Sequence, residues 1–100
     1  MRSLHLFLER GFSGEEVEVR LGEERIFRSE ALREDMMMGF AAQVDAPLPP
    51  GEATLSVLLP EEGLRHQIPV PAGDVDLWIV VRRLPDELIH EVGTEPLGFL

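Results

Sequence analysis

The sequence predicts an all-β domain: a single antiparallel β-sandwich of roughly seven or eight short strands. Three observations predict it. Apolar and polar residues alternate with a period of two over much of the chain, most cleanly in Val17-Glu18-Val19-Arg20-Leu21. That period gives a strand one dry face and one wet face. Clusters of glycine and proline interrupt the alternation about every 8–12 residues, the spacing of sandwich strands. No stretch has both the length and the apolar spacing of an amphipathic helix.

The first strand is expected around Leu4, Leu6 and Leu8, followed by a turn over 10–14 with two glycines. Val17 to Leu21 forms the second strand. Gly22-Glu23 turns it back into an arm carrying Ile26 and Phe27, because glycine supplies the positive φ that tight hairpins require. Residues 29–38 are ambiguous. Ser29 is a helix-capping type, and Glu30, Ala31, Leu32, Arg33 and Glu34 favour helix, so a connection with at most one short helical turn is expected there. Phe40, Ala42, Val44 and Ala46 share a parity and predict another strand, stopped by Pro47, Pro49, Pro50 and Gly51. Strands follow at 53–59, at 64–70 with Pro69 suited to a sheet edge, and at 75–81. A last strand or irregular segment covers 87–92, and 93–100 is an apolar tail.

The 100 residues fit one domain, spanning 1–100, with a core that needs no disulfide or metal. There is no cysteine, which removes disulfides, thiolate catalysis and zinc–thiolate sites. The formal net charge is -10, from 19 acidic residues against 9 basic ones. Such a balance opposes nucleic acid and anionic membrane surfaces, and suits a basic protein partner. No apolar run reaches the roughly 18 residues of a membrane span, and no export signal is visible at the N-terminus, so a cytoplasmic location is expected. Every basic residue is arginine, and lysine, asparagine and tyrosine are absent. GC-rich coding accounts for this bias, and few thermolabile amides would also suit a thermostable protein.

No motif for catalysis is complete. Gly11-Phe12-Ser13-Gly14-Glu15 misses the second glycine of a nucleophile elbow and lacks its strand–turn–helix setting. His90-Glu91 opens like a zinc-protease motif, but Thr94 stands where the second histidine belongs. A phosphate loop is excluded because the chain has no lysine. His5, His66 and His90 fall on three different expected strands, so they cluster only if those strands are neighbours. His66 shares parity with Leu64 and Ile68, which makes it a structural histidine beside the core. Asp74 and Asp76 project about 7 Å apart from one strand face, and a solvated face is the simplest reading. No catalytic residue, cofactor or metal ligand is therefore assigned.

Two segments resemble known domains. Leu48-Pro49-Pro50-Gly51-Glu52-Ala53-Thr54-Leu55-Ser56-Val57 is similar to the proline–glycine lead into an alternating strand found in small bacterial β-sandwich domains of the immunoglobulin-like, transthyretin-like and PEGA-like groups. Val17 to Phe27 looks like the hairpin that often precedes it. The resemblance covers about half of the chain, carries no catalytic residue, and implies an immunoglobulin-like or transthyretin-like accessory or binding module.

What breaks the alternation marks a candidate interaction surface. Met36, Met37 and Met38 lead into Gly39 and Phe40, a flexible and polarizable apolar patch that either binds a partner or plugs one end of the sandwich. Trp78 sits on the polar-parity side of its strand. The tail carries Leu97 and Phe99, which need cover from the chain itself or from another molecule. These residues predict a non-enzymatic protein-interaction or structural module, with another protein or a second copy in a homodimer as partner. The alternative is a small-ligand or carbohydrate-binding domain using Trp78.

Overall fold

The computed structural model describes residues 1–35 and 37–96. Eight strands form among them: β1 (Arg2–Leu8), β2 (Ser13–Leu21), β3 (Glu24–Arg33), β4 (Ala42–Leu48), β5 (Ala53–Leu59), β6 (Leu64–Val70), β7 (Leu77–Arg83) and β8 (Leu88–Gly93). A 3-10 turn, Pro60–Glu62, links β5 to β6, and an isolated bridge joins Asp35 to Phe40. No helix among the described residues is long and apolar enough to cross a membrane.

The strands make two four-stranded sheets, ordered β4-β1-β7-β8 and β3-β2-β5-β6. Their dry faces meet in one hydrophobic core, which makes the architecture a β-sandwich. Leu4, Leu6, Leu8, Val44, Ile79 and Val81 come from the first sheet, and Val17, Val19, Leu55, Val57, Ile68 and Val70 from the second. Alternation in the sequence chose these residues, because a period of two sends every second side chain inward. Phe12, in the turn between β1 and β2, is also almost fully buried and plugs one end of the core.

Three expectations are corrected. The sandwich is not wholly antiparallel: β1 runs parallel to β7, with Leu4 opposite Leu77 and Leu8 opposite Val81. Residues 29–33 are not a connection, and the one turn in the described part of 29–38 starts only at Asp35, whose carbonyl accepts the Met38 N–H at 3.2 Å. Strand β3 continues to Arg33, pairing Leu32 with Glu15 and Arg33 with Ser13. Leu32 is buried there, so core contact and a ladder partner override the local helical preference. Finally, β7 begins at Leu77 rather than at Val75. Val75 is exposed, and Asp74 and Asp76 do not share a strand face.

The prolines sit where a sheet tolerates them. Pro47 and Pro69 lie on β4 and β6, both outer strands of their sheets, where a missing N–H breaks no ladder. Gly11 meets a sharper demand. Its φ is 89°, and a side chain there would bring Cβ to 2.0 Å from the Arg83 carbonyl oxygen. The turn after β1 therefore packs directly against the end of β7. At the opposite end, the buried Arg2 guanidinium donates to the carbonyls of Pro49 at 2.9 Å, Gly51 at 3.2 Å and Pro71 at 2.8 Å. It ties the β4–β5 and β6–β7 loops together.

Candidate functional site

The two outer faces of the sandwich differ. On the outer face of β3-β2-β5-β6, charges neutralise one another. Glu16 pairs with Arg28 at 3.0 Å, Arg28 also reaches Glu30 at 3.4 Å, and Glu18 meets both Arg20 and Arg25. Arg20 holds the Glu18 carboxyl below its ordinary value, chiefly by hydrogen bonding. Exposed lattices of this kind keep a sheet face wetted and add little to stability.

The outer face of β4-β1-β7-β8 is aromatic. Its rows follow from register: Asp45 stands opposite His5, and His5 opposite Trp78. In the next row Gln43, Phe7, Val80 and Glu91 stand side by side. His5 lies between two carboxylates, with Nδ1 2.9 Å from Asp45 Oδ1 and Nε2 3.0 Å from Asp76 Oδ2. Both ring nitrogens donate when the ring is charged, and the Asp76 hydrogen bond, then the Asp45 one, hold the imidazole above the ordinary histidine value. Asp76 is lowered in turn by His5 and by the Ser3 backbone N–H, which donates to Asp76 Oδ1 at 2.8 Å. The Trp78 ring stacks on His5, with centroids 4.6 Å apart and planes at 22°. A protonated imidazole on an indole face adds a cation–π attraction.

This constellation cannot act as a Ser-His-Asp device. A catalytic base needs one ring nitrogen free to face the nucleophile, and here both face carboxylates. The Trp78 ring has one of its two faces against His5, which removes half of the platform a sugar would stack upon.

Phe40 joins this face through its loop. The Asp35 carboxylate accepts the backbone N–H groups of Met37 at 2.9 Å and Met38 at 3.2 Å, and its carbonyl accepts that of Gly39 at 2.9 Å. The loop so formed places Phe40 edge-on to Phe7, with centroids 5.3 Å apart and planes at 78°. Met37 and Met38 stay outside, 96% and 59% exposed. Phe7 and Val80 are buried although they point away from the core. Beside them Glu9, also buried, receives the Arg82 guanidinium at 2.9 Å.

Of the residues expected at an interaction surface, Phe40 and Trp78 thus share one sheet face, and Met37 and Met38 lie at its edge. Met36, Leu97 and Phe99 lie outside the described residues. The remaining candidates divide. His66 and His90 meet across the two sheets at 2.7 Å, His5 is on the outer face, and Asp74 is exposed in the loop before β7. No group of three or more potential metal ligands occurs among the described residues. Sequence reasoning misses Asp45. Its exposed parity on β4 is readable in the sequence, but its partner depends on β4 pairing with β1. No family model, curated protein or solved structure matches this chain.

Proposed function

We propose that the chain is a non-enzymatic protein-interaction module, and that it engages another protein or a second copy of itself through the outer face of the β4-β1-β7-β8 sheet. The observation that carries this reading is the contrast between the outer faces. Both carry ion pairs, but the β4-β1-β7-β8 face also offers the stacked rings of Trp78 and His5, with Met37 and Met38 exposed on the adjoining loop. Methionine and tryptophan give adaptable, apolar contact area, the composition of binding surfaces rather than of ordinary wet ones. Asp45 and Asp76 flank the ring pair, so the surface suits a partner that presents cationic side chains beside apolar ones.

The strand order supports the transthyretin-like alternative over the immunoglobulin-like one. A constant-type immunoglobulin domain places its first, second, fifth and fourth strands in one sheet. Here β1 pairs with β4 and β7, while β2 pairs with β3 and β5. Self-association would bring two acidic chains together, so added salt should strengthen it by screening.

Size-exclusion chromatography with light scattering tests the proposal, using wild type and a Met37→Ser/Met38→Ser/Trp78→Ala variant, together with affinity capture from a native extract. A wild-type dimer, or a stoichiometric captured protein, that disappears in the variant supports it. A monomer at all concentrations that captures nothing beyond what the variant captures overturns it.

A further inference from the structure

One side of the sandwich is closed by a pair of imidazoles. His66 on β6 stands opposite Val57, and His90 on β8 stands opposite Val81. Both valines are core residues, so both rings point between the sheets. His66 Nε2 lies 2.7 Å from His90 Nδ1, and the ring planes are tilted by 56°. Strands β6 and β8 are the outer strands of different sheets, so this hydrogen bond spans the seam between them. The seam is thinly covered: Val92, two residues beyond His90 and of the same inward parity, is 43% exposed.

A hydrogen bond between two imidazoles needs one N–H and one lone pair. A neutral pair has both, and so does a pair carrying one extra proton. A pair in which both rings are protonated has no lone pair to offer. Two N–H groups then point at each other across a short gap, with two like charges beside the core. Few groups oppose this. Burial first, and the neighbouring His90 second, hold His66 below the ordinary histidine value; Glu87 at the start of β8 is the carboxylate that pulls the other way. Val57 and Val81 bring no charge. Arg65 and Glu91 alternate to the outer faces, where Glu91 meets Arg82 at 3.6 Å, and Arg83 is tied to Glu15 and Glu62. Two imidazoles alone also fall short of a metal site.

We infer that the His66–His90 pair is an acid-released latch: it holds β6 to β8 while the pair carries at most one proton beyond neutrality, and the seam parts when both rings are protonated. The strand pairs nearest the middle, β1–β7 and β2–β5, keep their core packing while the outer strands loosen. Parting exposes Ile68 and Leu88 between the outer strands β6 and β8, an apolar seam that a partner could then cover.

Amide hydrogen exchange between pH 7.5 and pH 5, corrected for intrinsic rates, tests this. In wild type, protection of β6 and β8 should fall roughly tenfold relative to β2, the change expected when one partly buried hydrogen bond across the seam is lost. In a His66→Gln/His90→Gln variant the ratio should stay flat. An equal fall in the variant, or no fall in wild type, overturns the latch. Should the variant not fold, an NMR titration of the wild-type imidazoles decides. A coupled two-step titration, in which the second step breaks the ring-to-ring hydrogen bond, supports it. Independent titration of both rings near 6.5 with that hydrogen bond intact overturns it.

Discussion

Asp76 binds both the side chain of His5 and the backbone of a nearby β1 residue: one oxygen takes the His5 Nε2–H at 3.0 Å, the other the Ser3 N–H at 2.8 Å. The residue just before β7 is thereby fastened to β1, and Asp45 on β4 completes a three-segment tie. The sign of its pH dependence follows. The folded His5 value is raised, so its contribution is complete below the ordinary value near 6.5 and is lost as pH rises through the folded value. The folded Asp76 value is lowered, so its contribution is complete above the ordinary carboxylate value and is lost as pH falls through the folded one. The tie is therefore strongest between about pH 4 and about pH 6.5. Thermal melts of wild type and His5→Gln should differ more at pH 5.5 than at pH 9; an equal difference at both would show that the charge on His5 contributes nothing.

His66 has the opposite sign. Its folded value is lowered, so its contribution to stability is complete above about pH 6.5 and is lost as pH falls toward the folded value. His66→Gln should therefore narrow its stability gap to wild type on acidification from pH 7.5 to pH 5.5, whereas His5→Gln should widen its own. Denaturant titrations of the two variants at both values would show the crossing.

Gly11 and Gly22 make a paired test of backbone demand. Both have positive φ, at 89° and 62°. A methyl at Gly22 meets nothing within 4 Å, whereas one at Gly11 collides with the Arg83 carbonyl. Gly22→Ala should cost about 1 kcal/mol, the ordinary penalty of a left-handed residue. Gly11→Ala should cost more than about 3 kcal/mol or prevent folding, because the β1–β2 turn must leave β7. Urea midpoints separate these outcomes.

Arg2 should be irreplaceable by lysine. Its fork reaches three carbonyls on two loops, and a single ammonium cannot match that geometry. Arg2→Lys and Arg2→Met are each expected to cost roughly 2–4 kcal/mol, since hydrogen bonds to a charged group contribute about 1.5–3 kcal/mol and the carbonyls left behind are partly buried. Near-wild-type stability of Arg2→Lys would reduce the clamp to simple packing.

The legible part of this fold is the part written in local alternation. Val17 to Leu21, Ala53 to Leu59 and Leu64 to Val70 each show one dry parity, and each is a strand with that parity inward. Ser29 to Arg33 misleads because its local chemistry favours helix while its partner, the start of β2, lies far back in the chain. The polar clusters are hidden for the same reason. His5 is 40 residues from Asp45 and 71 from Asp76, and His66 is 24 from His90. Parity says which way each side chain points, but only the strand order says which of them meet. Parity alone puts Trp78 on the outward side, yet its stacking on His5 needs the parallel β1–β7 pair.

The interaction surface itself is tested most directly by oxidative footprinting of the chain, dilute and then assembled with itself or with its captured partner. Methionine and tryptophan report strongly in such labelling, and they are the side chains in question. Met37, Met38 and Trp78 should lose reactivity on assembly, while residues of the Glu16–Arg28 face keep theirs. An assembly that leaves Met37, Met38 and Trp78 as reactive as in the dilute chain would contradict the assignment of the binding surface to the β4-β1-β7-β8 sheet.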